Sequence, residues 1–329
     1  MRGLAMMGLL GGLLCWTGCA SLDLNLKQAS ANKPSNVALY FSVETSAGHP
    51  VPNLTAETFQ IYEDDQLISP YESKQTILNP EVAVIHYTLL LLDLSGSITE
   101  SGALPDLVEA ASSFCDKVSR KHQIAVFGFD GGAKLIPLVK FTKRAGNVRA
   151  GLKRALGKKV RDPSTNLNGA VVEAVSELEK VMAKAPQPLR FGTLVVFTDG
   201  TDRAHRVSKD AMLDRLDRSE INVFAIGLGG EISADQLAEL GHTGFVKAAE
   251  GDMSGAFDRA AALIEAAARK FYLLSYCSPS RAGTHELRVE LSHGEASGGL
   301  AHQFNADGFG PGCNPSANPK FKVGRIRIK

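Results

Sequence analysis

Asp93-Leu94-Ser95-Gly96-Ser97 is the segment of this chain best equipped for chemistry. It follows a stretch, Val82–Leu92, whose uninterrupted apolar run Leu89–Leu92 marks a strand buried on both faces. In an open α/β sheet, ligands gather beyond the carboxyl ends of strands, where the strand order reverses. A carboxylate there, followed by two hydroxyls at alternate positions of a glycine-containing turn, offers three hard oxygens to one point. Such donors suit Mg²⁺, Mn²⁺ or Ca²⁺ rather than Zn²⁺. Two further residues fall in matching places. Thr165 lies in the loop Ser164-Thr165-Asn166 just ahead of a helix, and Asp199 ends a second buried strand in Phe197-Thr198-Asp199-Gly200. The competing reading is an α/β domain whose turn hydroxyls only cap helices and shape loops.

The elements around these residues alternate between strand and helix from Glu81 to Lys270. A helix over Leu104–Lys121 carries Leu107, Val108, Ala111, Phe114, Cys115 and Val118 on one stripe, and another over Leu167–Ala185 carries Val171, Val175, Leu178 and Met182. Strands Ile124–Phe129 and Leu135–Phe141 flank the turn Asp130-Gly131-Gly132. Further strands are expected at Thr193–Thr198, Val223–Gly227 and Phe245–Lys247, with helices at Lys209–Arg218, Ala234–Leu240 and Gly255–Arg269. This alternation predicts a mostly parallel sheet with helices on both faces. Short β segments lie on either side, at 37–80 and 271–304, and are expected to pair with each other. The α/β unit, residues 81–270, would then be inserted in a small β-sandwich-like unit. Residues 305–329 form a Gly- and Pro-rich tail with a basic end, Lys320–Lys329, in which one more strand or an edge for anionic polymer is conceivable.

The ordered elements strand–DxSxS, loop threonine and strand–TDG resemble the von Willebrand factor type A (VWA) domain and its metal-ion-dependent adhesion site. The resemblance covers roughly Glu81–Lys270 and implies a Rossmann-like fold. It also implies that Ser95, Ser97 and Thr165 ligate the metal directly, while Asp93 and Asp199 do so directly or through water. Mg²⁺ is the expected ion, with Mn²⁺ or Ca²⁺ as alternatives. The remaining coordination position would go to water or to an acidic side chain of a protein partner. The implied function is adhesion or protein–protein binding without turnover; the alternative is an envelope scaffold whose metal is structural. Segments Leu54–Asp64 and Tyr272–Tyr276 are similar to the flanks of bacterial extracytoplasmic proteins containing such a domain.

Enzymatic readings find less support. No G-x-S-x-G elbow and no H-E-x-x-H segment occurs. His205 lies in a polar loop six residues beyond Asp199 and reads as a surface histidine. Gly151–Lys159 lacks the Ser/Thr of a phosphate loop, and Gly227-Leu-Gly229-Gly230 lacks the third spaced glycine of a dinucleotide site. A phosphotransferase loop would want a second carboxylate where Ser95 stands.

Residues 1–18 read as an export signal: Arg2 precedes the apolar stretch Leu4–Trp16, too short to span a hydrocarbon core that needs about 20 helical residues. The ending Thr17-Gly18-Cys19 resembles a bacterial lipobox, which implies lipidation at Cys19 and attachment to a membrane through that lipid. The alternative is a plain signal cleaved near Ala20. Ala20 after Cys19 implies an outer-membrane lipoprotein. Residues 19–36 are expected to be a flexible tether, because Ser21–Ser35 is polar and unpatterned. Of the remaining cysteines, Cys115 sits on an apolar stripe. Cys277 and Cys313 both lie in the C-terminal region, and export would favour a disulfide between them.

Composition adds boundaries. The chain has 329 residues, 44% hydrophobic and 22% charged, which excludes a disordered chain and a multi-span membrane protein. A net charge of +1 leaves no broad field for nucleic acid, so no nucleic-acid partner is expected. Five cysteines are too few for a disulfide scaffold.

Overall fold

A computed structural model describes residues 21–80, 84–157, 162–186, 189–249 and 251–321. The export signal, Cys19 and the basic end beyond Phe321 lie outside the described residues. Among those described, no helix is long and apolar enough to cross a membrane.

The first element corrects one expectation. Residues 22–32 are not a tether but a strand, β1 (Leu22–Asn32), paired antiparallel with β2 (Asn36–Thr45), with Leu24 opposite Val43. The physical signal was present: Leu22, Leu24 and Leu26 alternate with Asp23, Asn25 and Lys27, so one face of a polar segment is apolar. Leu22 and Leu24 are buried. The strands β3 (Phe59–Glu63), β4 (Gln66–Leu67) and β5 (Thr76–Leu78) follow.

The α/β unit begins at β6 (Val84–Asp93). It continues through α1 (Gly96–Glu100), α2 (Leu104–Val118), β7 (Gln123–Phe129), β8 (Ile136–Thr142) and α3 (Ala145–Lys153). Then come α4 (Leu167–Lys184), β9 (Leu189–Thr198), α5 (Lys209–Asp217), β10 (Asn222–Leu228), α6 (Ala234–Leu240), β11 (Gly244–Ala248) and α7 (Met253–Ala268). The six strands form one sheet in the order β11-β10-β9-β6-β7-β8, parallel except for the β7/β8 pair. Alternation along β6 explains why its apolar run is continuous. Leu90 and Leu92 enter the core beneath α2 and α7, while Leu89 and Leu91 enter the core beneath α4, α5 and α6. The chain leaves β6 towards β7 on one side and returns at β9 on the other, so the order reverses between β6 and β9.

The chain then closes the unit it began with. β12 (Phe271–Cys277) pairs with β2 and β5, and β13 (Thr284–His293) pairs with β3 and with β14 (Ala296–Asn305). The two four-stranded antiparallel sheets, β1-β2-β12-β5 and β14-β13-β3-β4, share one apolar core that includes Phe41, Phe59, Ile61, Leu274 and Val289. The strand β14 was not foreseen, because Gly298-Gly299 interrupts its pattern. Gly298 is there for space: a Cβ at that position would lie 1.9 Å from the Leu22 carbonyl oxygen of the adjoining sheet. Within this sandwich, Glu63 is buried and accepts hydrogen bonds from Tyr276 Oη (2.9 Å), Ser278 Oγ (3.0 Å) and Ser280 Oγ (2.6 Å). The segment after β14 is fastened by Phe309 in the sandwich core, by Gly310 N–H donating to Pro34 O (2.7 Å) and by a Cys277–Cys313 disulfide. Phe321 is then buried with Tyr40, Val84, Leu189 and Leu273 in the seam between the two units.

That seam lies at the starting ends of β6 and β9. Tyr40, Phe191 and Phe271 pack with ring centroids 5.2–5.7 Å apart, and His86 stacks between Phe191 (5.5 Å) and His122 (4.7 Å). His122 Nδ1 is 2.8 Å from Thr88 Oγ1. Burial, followed by the positive charges of Lys121 and Lys143, brings His86 down to about 4; burial and then His86 bring His122 down to about 3.

Two predictions follow from these buried polar groups. Both histidines take up protons more readily unfolded (near 6.5) than folded, so the stability they contribute is fully present above about pH 7 and is lost as pH falls from about 6.5 towards 4. In thermal melts between pH 7.5 and 5, His86→Gln should show a shallower decline than wild type, the carboxylates cancelling in the comparison; parallel curves would refute this. For the second, Glu63→Gln places an amide donor against hydroxyl donors and should cost about 1.5–3 kcal/mol in denaturant unfolding. An unchanged midpoint would refute the role given to Glu63.

Candidate metal centre

The site forms at the carboxyl ends of β6 and β9, where the strand order reverses. Parallel register sets Leu92 beside Phe197, which places the following residues, Asp93 and Thr198, side by side. Thr198 Oγ1 donates to Asp93 Oδ2 at 2.7 Å, and the Ser95 backbone N–H donates to Asp93 Oδ1 at 3.0 Å. Asp93 is completely buried. The chain then turns into the short helix α1, with Ser95 at its N-cap and Ser97 in its first turn. Their hydroxyl oxygens are 3.1 Å apart, and Ser97 Oγ donates to Asp199 Oδ1 at 3.0 Å. Four of the five candidate ligands are thus joined by hydrogen bonds in one small cluster.

The fifth, Thr165, arrives on the loop before α4. This loop is tied to α1 by Gly96 N–H donating to Pro163 O (2.9 Å), and a Cβ on Gly96 would press on Pro163 at 3.2 Å. It is tied to the Asp199 loop by the Thr165 carbonyl, which accepts from Arg203 N–H (2.8 Å) and Ala204 N–H (3.0 Å). Thr165 is buried, and among the described residues no hydrogen bond joins its hydroxyl to the other four. The neighbouring turn is held by Asp162, which accepts from Ser164 N–H and Oγ, and by Arg206 donating to Gly131 O.

The electrostatics fit a hard divalent cation. Burial pushes Asp93 up to about 6, against hydrogen bonds that pull the other way, and the charge of Asp199 adds to the rise. Burial also raises Asp199. Two carboxylates held in this way are short of positive charge, and the oxygens beside them are neutral hydroxyls that can share a cation without adding repulsion. Among the described residues no group of three His, Cys, Asp or Glu is placed to hold a metal, so a centre here would be built largely from hydroxyls. Thr198 is the contributor that sequence reasoning left without a role. Its position between a buried strand and Asp199 was visible, but its bond to Asp93 depends on the β6/β9 register. His205 is exposed, with its backbone N–H bonded to Asp202, and is not part of the cluster. Cys115 is buried, and burial pushes its thiol upward in pKa.

With this fold and this site in view, the chain belongs to the von Willebrand factor type A domain family, whose model matches residues 89–254. Solved structures that it resembles include proximal thread matrix protein 1 from the mussel byssus, at 14% identity and a TM-score of 0.44, covering 55% of this chain and 48% of that one. The present chain therefore spans about half the length of the mussel protein. The von Willebrand domain of the type V pili tip protein Mfa5 from Porphyromonas gingivalis is similar at 12% identity and a TM-score of 0.43, covering 56% and 96%. Manganese-loaded TRAP protein from Plasmodium vivax is similar at 13% identity and a TM-score of 0.44, covering 75% and 98%. No curated protein sequence matches the chain.

The metal reading has a direct check. Mg²⁺ at a hundred times its dissociation constant would stabilise the fold by about 2.7 kcal/mol, a rise of a few degrees in melting temperature. Asp93→Asn keeps the shape and removes the charge, so it should melt normally in EDTA and lose that rise. An equal rise in both proteins would count against Asp93 as a ligand.

Proposed function

We propose that this chain is an exported, lipid-anchored envelope protein that binds a protein partner through a divalent cation, without catalytic turnover. The observation that supports it most is the hydrogen-bonded cluster of Asp93, Ser95, Ser97 and Asp199 at the sheet edge, with the Thr165 loop tied alongside. When bound, the cation supplies Lewis-acid attraction for a carboxylate of the partner. Asp93 and Asp199 supply the negative charge that retains it, and Ser95, Ser97 and Thr165 supply neutral oxygens. Because the other three donors are neutral hydroxyls, no third acidic side chain of this chain competes with the partner's carboxylate for the ion. Mg²⁺ is the ion we assign, on the hardness of the donors. Anchoring rests on the Thr17-Gly18-Cys19 ending, with Cys19 as the lipidated residue and the outer membrane as the location.

The test is capture from an envelope extract by the full chain in Mg²⁺, followed by mass spectrometry. Wild type should retain a partner that EDTA releases, and Thr165→Ala should retain about tenfold less of it while melting at the same temperature in EDTA. Capture that is indifferent to both EDTA and Thr165→Ala would overturn the proposal.

A further inference from the structure

The metal centre lies between two cavities of opposite character. One, of about 760 Å³, has Ser97 and Asp199 in its wall and continues past Asp106 and Glu109 of α2 to Glu231. The other, of about 510 Å³, lies on the opposite face of the sheet, between α5 and α6. Its lining includes the buried side chains of Leu167, Met212, Ile232 and Leu240, with Val207 beside them. Two loops serve both cavities. In the loop after β9, Asp199 faces the first, and Thr201 and Asp202 line the second; in the loop after β10, Glu231 lines the first and Ile232 the second. A ligand crossing the sheet edge at Asp199 therefore meets both.

The charges differ as clearly as the shapes. In the first cavity Glu231 is paired with Arg203, whereas Asp106 and Glu109 are exposed and, among the described residues, without an ion pair. With Asp199 nearby, that wall attracts a cation and repels a second acid. In the second cavity Lys209 pairs with Glu239, and the nearly buried Asp202 carboxylate is taken up by the Asn168 and His205 backbone N–H groups, leaving an apolar floor.

We infer that the partner presents an extended segment in which the metal-binding Asp or Glu has a Lys or Arg on one side and a large aliphatic or aromatic residue on the other. The basic residue faces Asp106 and Glu109, and the apolar one enters the cavity floored by Met212, Ile232 and Leu240. This rests on the metal-binding reading above and adds the chemistry of the partner.

A random heptapeptide display library, panned on the full chain in Mg²⁺ and eluted with EDTA, tests it. Enriched peptides should carry an acidic residue between a basic and a large apolar one. The double variant Asp106→Lys/Glu109→Lys should still capture EDTA-eluted peptides but lose the basic preference. Val207→Trp, which narrows the apolar cavity, should bind a selected peptide about tenfold more weakly with Mg²⁺ binding intact. Acid-bearing, EDTA-eluted peptides with no flanking preference would overturn this inference and leave the metal reading standing. A library from which EDTA elutes nothing, or which Asp93→Asn captures equally well, would overturn both.

Discussion

Everything at the sheet edge depends on keeping a carboxylate where water is excluded. Asp93 ends a strand whose four preceding leucines are fully buried, and it is buried with them. A carboxylate in that position is costly unless it is hydrogen-bonded or beside a cation. The protein supplies only part of the compensation, through the Ser95 amide and the Thr198 hydroxyl. The incomplete compensation is what gives the site an appetite for positive charge, and the neighbouring loops are arranged around it: Gly96 under Pro163, and Thr165 under Arg203 and Ala204.

The α/β unit and the sandwich divide the labour along the strands. Among the described residues, the apolar contact between them gathers at the starting ends of β6 and β9, in an aromatic seam. At about 3.3 Å per residue, the ten residues of β6 put roughly 30 Å between that seam and Asp93. The sandwich therefore holds the domain from behind and leaves the ligand edge clear.

Much of the α/β unit was legible in the sequence because its signals are local. Continuous apolar runs marked the buried strands, and stripes such as Leu107–Phe114 marked α2. That Asp93, Ser95, Ser97 and Asp199 would lie together was legible for the same reason, since each follows directly on a buried strand. What stayed hidden depended on partners distant in the chain. The strand β1 looked like a polar linker until β2 gave its leucines a face to cover, and β14 was not singled out within the 271–304 β segments because Gly298 answers to the Leu22 carbonyl, far away in sequence. The role of Thr198 needed the register between β6 and β9, which no single segment reveals.

The nesting of one unit within the other also orders events during synthesis. β2 has one neighbour, β1, immediately before it, but its other neighbour, β12, is made more than two hundred residues later. Until then Leu39 and Phe41 face a sheet of which only β3 and β4 have been made, while the inserted domain already has all its strands. A chain that stops short of β12 would thus carry a complete α/β unit on an open, apolar base. Only once β12 and β13 are in place is that base covered, so the sandwich doubles as a seal that the domain has been made in full.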